Sequence, residues 1–381
     1  MEKFDIIIAG AGSIGVPLSL FLSKEKYRVC VIEKNHSPGQ GQNKAAIGGV
    51  RATHSDSSKI KTCLKSIEIF SSWKETYGDD IGWQKGGYLF PVYSESDKKV
   101  LLELLKVQKN YGLNIEWIEK DDILELVDGI DDRGLLGGTY SPDDGSASSI
   151  LSSNAFYFKS LEYGTTFKFN ENINEISKKE NFVIRTNKGE YESEYFINAA
   201  GSHAKAVSLM LGVDVPVKPD CHMAAITEPL ERFMKPMVVD IRKGEASSNC
   251  YFYQNFEGQI IFCLTPSPQI WGYDRRASSE FLNESAKRVL SVVPSMKNVR
   301  VRRMWRGLYP MTPDGFPVVD FDAGGIKNYI LAVGMCGQGF MMGPGTGWVI
   351  TEILSGRKKK DDDMVINFKL ERSYSGQEKL K

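Results

Sequence analysis

Phe4-Asp5-Ile6-Ile7-Ile8-Ala9 runs straight into Gly10-Ala11-Gly12-Ser13-Ile14-Gly15, and the reading of this stretch decides the fold. An unbroken β-branched run of this kind belongs to a parallel strand covered on both faces, where no side is left for polar residues. Val16 to Lys26 reads as a helix, with Val16, Leu18, Leu20, Phe21 and Leu22 as its apolar residues. Arg28-Val29-Cys30-Val31-Ile32 then reads as a second strand ending in Glu33, which completes a βαβ unit. In that setting the G-x-G-x-x-G spacing has a mechanical meaning. Gly10 permits the tight turn, Gly12 lets a pyrophosphate approach the backbone, and Gly15 lets the helix pack closely on the strand. The phosphates would sit at the positive end of the helix opened by Ser13 and Ile14. Glu33, with Lys34 beside it, would accept hydrogen bonds from adenosine ribose hydroxyls, and its charge disfavours a 2′-phosphate. The unit alone does not choose between NAD and FAD.

The rest of the composition narrows the class. A chain of 381 residues and 42.6 kDa is long enough for two or three domains. Lys+Arg and Asp+Glu balance at 48 each, so there is no basic footprint for nucleic acid or an anionic membrane surface. With 41% apolar residues and a mean hydropathy of −0.28 the composition is neither disordered nor membrane-spanning. No apolar run approaches the roughly 18 residues of a span, and the start has no signal-peptide layout, so a cytoplasmic location is expected. Cys30, Cys63, Cys221, Cys250, Cys263 and Cys336 never fall at C-x-x-C spacing, and there are 4 histidines, so no metal site is expected.

Further along, Ser58 to Tyr77 reads as a helix, Gly87 to Val92 as a strand and Ser96 to Tyr111 as an amphipathic helix. Phe182 to Thr186 and Tyr195 to Asn198, around a turn at Lys188-Gly189-Glu190, read as a hairpin whose second strand rejoins the first sheet. Val217 to Arg306 is strand-rich around one helix near Ser278 to Val292, and Tyr329 to Leu354 returns to strand, Gly-rich loop and helix. Gly343-Pro344-Gly345 reads as the start of that last helix, because proline suits the first helical position. The charge run Arg357 to Asp363 reads as a solvated stretch.

Four segments together resemble the D-amino-acid oxidase/sarcosine oxidase superfamily of FAD-dependent oxidoreductases, within it the sarcosine oxidase and proline dehydrogenase branch. They are Gly10 to Glu33; Ile47-Gly48-Gly49-Val50-Arg51; Asn198-Ala199-Ala200-Gly201 with Leu211-Gly212 and Pro216-Val217-Lys218-Pro219; and Trp305 to Gly315 followed by Gly334-Met335-Cys336-Gly337-Gln338-Gly339-Phe340. The resemblance implies an α/β (α+β overall) chain with a Rossmann-type FAD-binding domain over 1–82, 146–216 and 320–381. A substrate domain built on a mostly antiparallel sheet would take 83–145 and 217–319. It also implies cofactor contacts from Gly48, Gly49, Ala200 and Gly201, from the backbone of Ile173, and from the Gly334, Gly337, Gln338, Gly339 and Phe340 loop. Family members with covalent flavin carry a Cys where this chain has Gly307, so the FAD is expected to be non-covalent.

The resemblance implies oxidation of the C–N bond of a small amino or imino acid, of sarcosine, proline, glycine or D-amino-acid type, by hydride transfer to the flavin. Arg51 matches the family's carboxylate-binding arginine, and a bidentate guanidinium is the natural clamp for such a group. The glycine-oxidase-type arginine would fall at Tyr309 and is absent. Tyr251 and Tyr253 share one face of a strand and could add a hydroxyl and an aromatic wall. Arg306 is a second candidate anion ligand, and His54 a candidate polar group over the flavin. The family's oxygen-activating lysine is replaced by the apolar run Ile260-Ile261-Phe262, leaving O2 or another electron acceptor open. Oxidation of a 2-hydroxyacid or glycerol 3-phosphate, and a flavin-holding subunit or assembly factor of a homo- or hetero-oligomer, stay open as alternatives.

Overall fold

The computed structural model describes residues 1–376 and 378. Glu2–Ala9 is a central strand, flanked in parallel by Val29–Glu33 and Glu190–Asn198. Ile6, Ile7 and Ile8 are fully buried, which is what a strand covered on both faces demands of its sequence. The eight-stranded sheet runs Val318–Phe321, Tyr329–Val333, Glu190–Asn198, Glu2–Ala9, Val29–Glu33, Thr166–Phe169. Phe182–Thr186 and Ile173–Lys178 form an antiparallel extension from Glu190–Asn198. The expected hairpin is therefore present, and its second strand pairs antiparallel with Phe182–Thr186 on one edge and parallel with Glu2–Ala9 along the other.

A second eight-stranded sheet runs Val301–Met311, Lys218–Pro229, Gln259–Pro266, Ser247–Gln254, Met237–Asp240, Tyr88–Val92, Gly137–Ser141, Glu116–Ile118. Its pairs are antiparallel except that between Met237–Asp240 and Tyr88–Val92. Each sheet has its own apolar cluster: one holds Leu89, Val238, Phe252 and Val292, the others surround Ile6, Ile8 and Ile7. Val318–Phe321 pairs with Tyr329–Val333 and so belongs to the first sheet. A small ladder of Gly49–Val50 with Gly145–Ser146 lies between the two systems.

One expectation needs correction. The last helix is Gly339–Leu354, so it starts before Gly343 and carries Pro344 inside it. The reason lies in packing. A Cβ on Gly343 would overlap the Ser13 carbonyl oxygen, one on Gly345 the Thr62 carbonyl oxygen, and one on Gly347 would come within 2.8 Å of the Leu18 amide. These glycines let the helix nest between Gly15–Lys24 and Ser57–Tyr77, and that tertiary contact outweighs the local proline signal.

Candidate active site

Between the C-terminal ends of the first sheet's parallel strands and the face of the second sheet lies a cavity of about 560 Å³. The edge of a doubly wound sheet at those strand ends is where such folds bind ligands. Gly10, Gly12, Ser13 and Ile14 line one end with Glu33, Lys34, Ile173, Ala200 and Gly201; Gly48, Gly49, Gly307, Gly334, Gly337, Gln338, Gly339 and Phe340 line the other. Gly15 is off the wall: it packs under the Gly10 carbonyl, which leaves no room for a Cβ. Its role is the helix–strand approach that the spacing suggested, and it touches no ligand space.

Two helix ends contribute to the electrostatics of the cavity. Gly15–Lys24 opens at Ile14 and Gly339–Leu354 at Gln338; neither has a side-chain cap or an acidic residue in its first turn. Their unsatisfied amides point a positive end at the cavity. At the far end, Glu33 accepts from the Ala11 amide at 2.9 Å and from the Asn35 amide at 2.9 Å, which fixes the carboxylate at the cavity wall. Lys34 Nζ lies 2.7 Å from His203 Nε2, and burial pulls the pKa of both below the usual range, with Arg275 adding to the effect.

The other end is aromatic. Tyr251 Oη and Tyr309 Oη share a hydrogen bond at 2.7 Å, and the Tyr309 ring stacks on His222 with centroids 3.7 Å apart. His222 Nε2 lies 3.0 Å from Asp220 Oδ2. Burial holds the phenols of Tyr88, Tyr251 and Tyr309 well above their ordinary pKa, so they remain neutral O–H groups. Arg51 reaches the same wall, and its Nη1 donates to the Thr53 carbonyl.

Three of the residues singled out from the sequence lie elsewhere. His54 is fully buried outside the cavity, 4.0 Å from Glu378, and burial, then Arg51 and Lys59, hold its pKa well below the usual value. The tight turn that donates His54 N–H to the Ala52 carbonyl directs its ring inward. Tyr253 lies on the same strand face as Tyr251, but its hydroxyl donates to the Ile47 carbonyl, so it supports the loop from beneath. Arg306 faces away from Trp305, Gly307 and Tyr309 by strand alternation, 3.9 Å from Asp274. In exchange the structure brings in Tyr88, His222, Met237 and Cys263. Tyr88 had a legible signal, because it alternates with Phe90 and Val92 on a named strand. His222 had none, since its place depends on its register opposite Gly307.

Two orphaned groups test whether a flavin dinucleotide fits. Gln338 Oε1 and His222 Nδ1 are buried in residues of the wall and have no hydrogen-bond partner among the described residues. A Cβ on Gly12 would meet nothing within 4 Å, which leaves the phosphate loop open to a ligand. Ala45 packs so closely over Gly307 that a Cβ there would come within 2.8 Å of it, leaving no space for a side chain bonded to a ring. The residues fit FAD: the βαβ turn for its pyrophosphate, Glu33 for its ribose, and the 334–340 loop for its ring.

A doubly wound sheet faced by a mostly antiparallel one, with the glycine turn of the βαβ unit lining the cavity between them, is the arrangement of a dinucleotide-binding protein. The chain belongs to the family of FAD dependent oxidoreductases (DAO), which matches residues 5–353. Among solved structures it resembles L-proline dehydrogenase from P. horikoshii, with a TM-score of 0.88 and 28% identity over 94% of this chain and 95% of that one. Among curated proteins it is 24% identical to glycine oxidase of Geobacillus kaustophilus over 95% of each chain. It is 23% identical to mitochondrial dimethylglycine dehydrogenase of Rattus norvegicus over 94% of this chain and 44% of that protein. The protein is an FAD-dependent oxidoreductase. Among the described residues no helix is long and apolar enough to cross a membrane.

Proposed function

We propose that the protein oxidises the C–N bond of a small amino or imino acid whose carboxylate is held by Arg51. The observation that carries this reading is a buried guanidinium at the end of the cavity that Tyr88, Tyr251 and Tyr309 line with neutral phenols. FAD bound along the cavity supplies an acceptor for two electrons and a hydrogen from carbon. Arg51 binds and orients the substrate by its carboxylate, which fixes the adjacent carbon against the cofactor loop. Tyr251 and Tyr309 share a hydrogen bond and are backed by His222, which leaves the pair one O–H to donate to the same carboxylate. Tyr88, Met237 and Val239 narrow the space and exclude water around the reacting carbon. The neutral surroundings favour an uncharged amine, so no dedicated base is required of the wall.

The names of the similar proteins, which act on proline, glycine and dimethylglycine, support this substrate class. Ile260 and Phe262 are buried in the second sheet and supply no cation for oxygen activation, which favours an acceptor other than O2. Anaerobic mixing with L-proline, sarcosine, glycine and D-alanine tests the reading: one of them should bleach the flavin band. Absence of bleaching by all four, in protein that dithionite does bleach, refutes it. Repeating the successful mixture in air, with and without an artificial dye, separates oxidase from dehydrogenase.

A further inference from the structure

The short segment that carries Arg51 is held from beneath by a residue near the end of the chain. Within the segment, Arg51 Nη1 donates to the Thr53 carbonyl and to Thr53 Oγ1 at 3.3 Å, and His54 N–H donates to the Ala52 carbonyl at 2.8 Å. At one side the Ala52 amide donates to Asp144 Oδ1 at 3.0 Å. At the other, both Ser55 N–H and Ser55 Oγ–H donate to Glu378 Oε1, at 3.0 and 2.6 Å. Glu378 Oε2 lies 3.2 Å from Lys59 Nζ, and both side chains are fully buried. Lys59 also donates to the Gly315 carbonyl at 2.8 Å.

Tethering the chain end does not explain this pair. Arg372 already fastens that segment by donating to both oxygens of Asp314 at 2.8 and 3.0 Å. A well-packed apolar pair would anchor it at least as well, because two desolvated charges regain little beyond what their burial costs. What a carboxylate supplies and an apolar group cannot is an acceptor for two donors of Ser55, the residue that ends the turn on which Arg51 rests. We propose that Glu378 is a positioning residue for Arg51: by holding Ser55 it fixes the segment 52–55 so that the guanidinium presents its donors to a substrate carboxylate. The inference rests on the clamp role given to Arg51 above.

The test uses full-length, flavin-loaded protein and a ligand with no nitrogen to oxidise, cyclopentanecarboxylate, with cyclopentanecarboxamide as its neutral counterpart. Binding is read from the shift of the flavin absorption band. In the double variant Lys59→Met/Glu378→Met, which replaces the ion pair by an apolar one, the carboxylate should bind at least about tenfold more weakly, the loss expected for a misplaced charge-assisted hydrogen bond. The carboxamide should bind as in the unaltered protein. Lys59→Met/Glu378→Gln keeps an acceptor for Ser55 and should restore most of the carboxylate affinity, which a merely structural role would not predict. Should neither double variant hold flavin, Ser55→Ala, which removes one donor only, decides by the same ratio of carboxylate to carboxamide. Carboxylate binding unchanged in the variants overturns the inference alone. No carboxylate binding and no bleaching in the unaltered protein overturns the clamp and this inference with it.

Discussion

Replacing Asp144 by Asn should change how stability depends on pH. Asp144 is fully buried, its Oδ1 accepts the Ala52 amide at 3.0 Å, and its Oδ2 has no partner among the described residues. Burial pushes its carboxyl up from 3.8 to about 7, against the opposing pull of the Ala52 amide and Arg51. A folded-state pKa raised this way means that the folded protein holds the proton more tightly than the unfolded chain does. The associated stability is complete below about pH 4, is lost progressively as pH rises towards 7, and stays lost above. Three pH units correspond to about 4 kcal/mol. The amide introduced by Asp144→Asn keeps an acceptor for Ala52 and carries no proton to lose, so this contribution should be absent from the variant's dependence on pH. Its second polar atom inherits the partnerless position of Oδ2, at a cost of about 1–3 kcal/mol. The variant should therefore be the less stable form near pH 4 and the more stable one by about 1–3 kcal/mol above pH 7. Thermal unfolding of flavin-loaded protein, measured across about pH 4 to 8, checks this. Parallel curves for the two proteins would refute the claim that burial raises this carboxyl's pKa.

Arg51→Met should raise KM for the amino-acid substrate on the order of a hundredfold, about 3 kcal/mol, with a smaller fall in kcat; steady-state kinetics under a saturating acceptor reads the split. Gly343→Ala forces a Cβ into the Ser13 carbonyl, so the last helix must part from the phosphate loop. FAD should bind at least about tenfold more weakly, from about 1–3 kcal/mol of overpacking, as measured by quenching of its fluorescence on titration. Denaturation in acid should release all the yellow colour into the supernatant, because Gly307 offers no atom for a covalent link; flavin retained in the pellet would contradict this.

Much of this molecule is written in local pattern. The βαβ unit at the amino end is set by apolar period and glycine spacing, both properties of a few adjacent residues, and the cavity wall holds nearly all the cofactor residues that the motifs marked. Arg51, expected from the family resemblance, and Tyr251, expected from strand alternation, both line the cavity. His54, Tyr253 and Arg306 sit beside residues that do reach the cavity, and what separates them is the direction of one side chain, which a motif does not encode.

Local pattern was enough for the opening βαβ unit and its dinucleotide turn, because hydrophobic period and glycine placement act over one turn of helix or one strand; the flavin and the carboxylate clamp were expected from the family resemblance of longer motifs. Contacts of the folded chain set the start of the last helix at Gly339, the stacking of His222 behind Tyr309, and the place of Glu378 beneath the Arg51 segment. Each of these joins residues distant in the chain through close packing or a buried hydrogen bond. Such contacts are chosen by the whole fold, since their energy exists only once the intervening chain is in place.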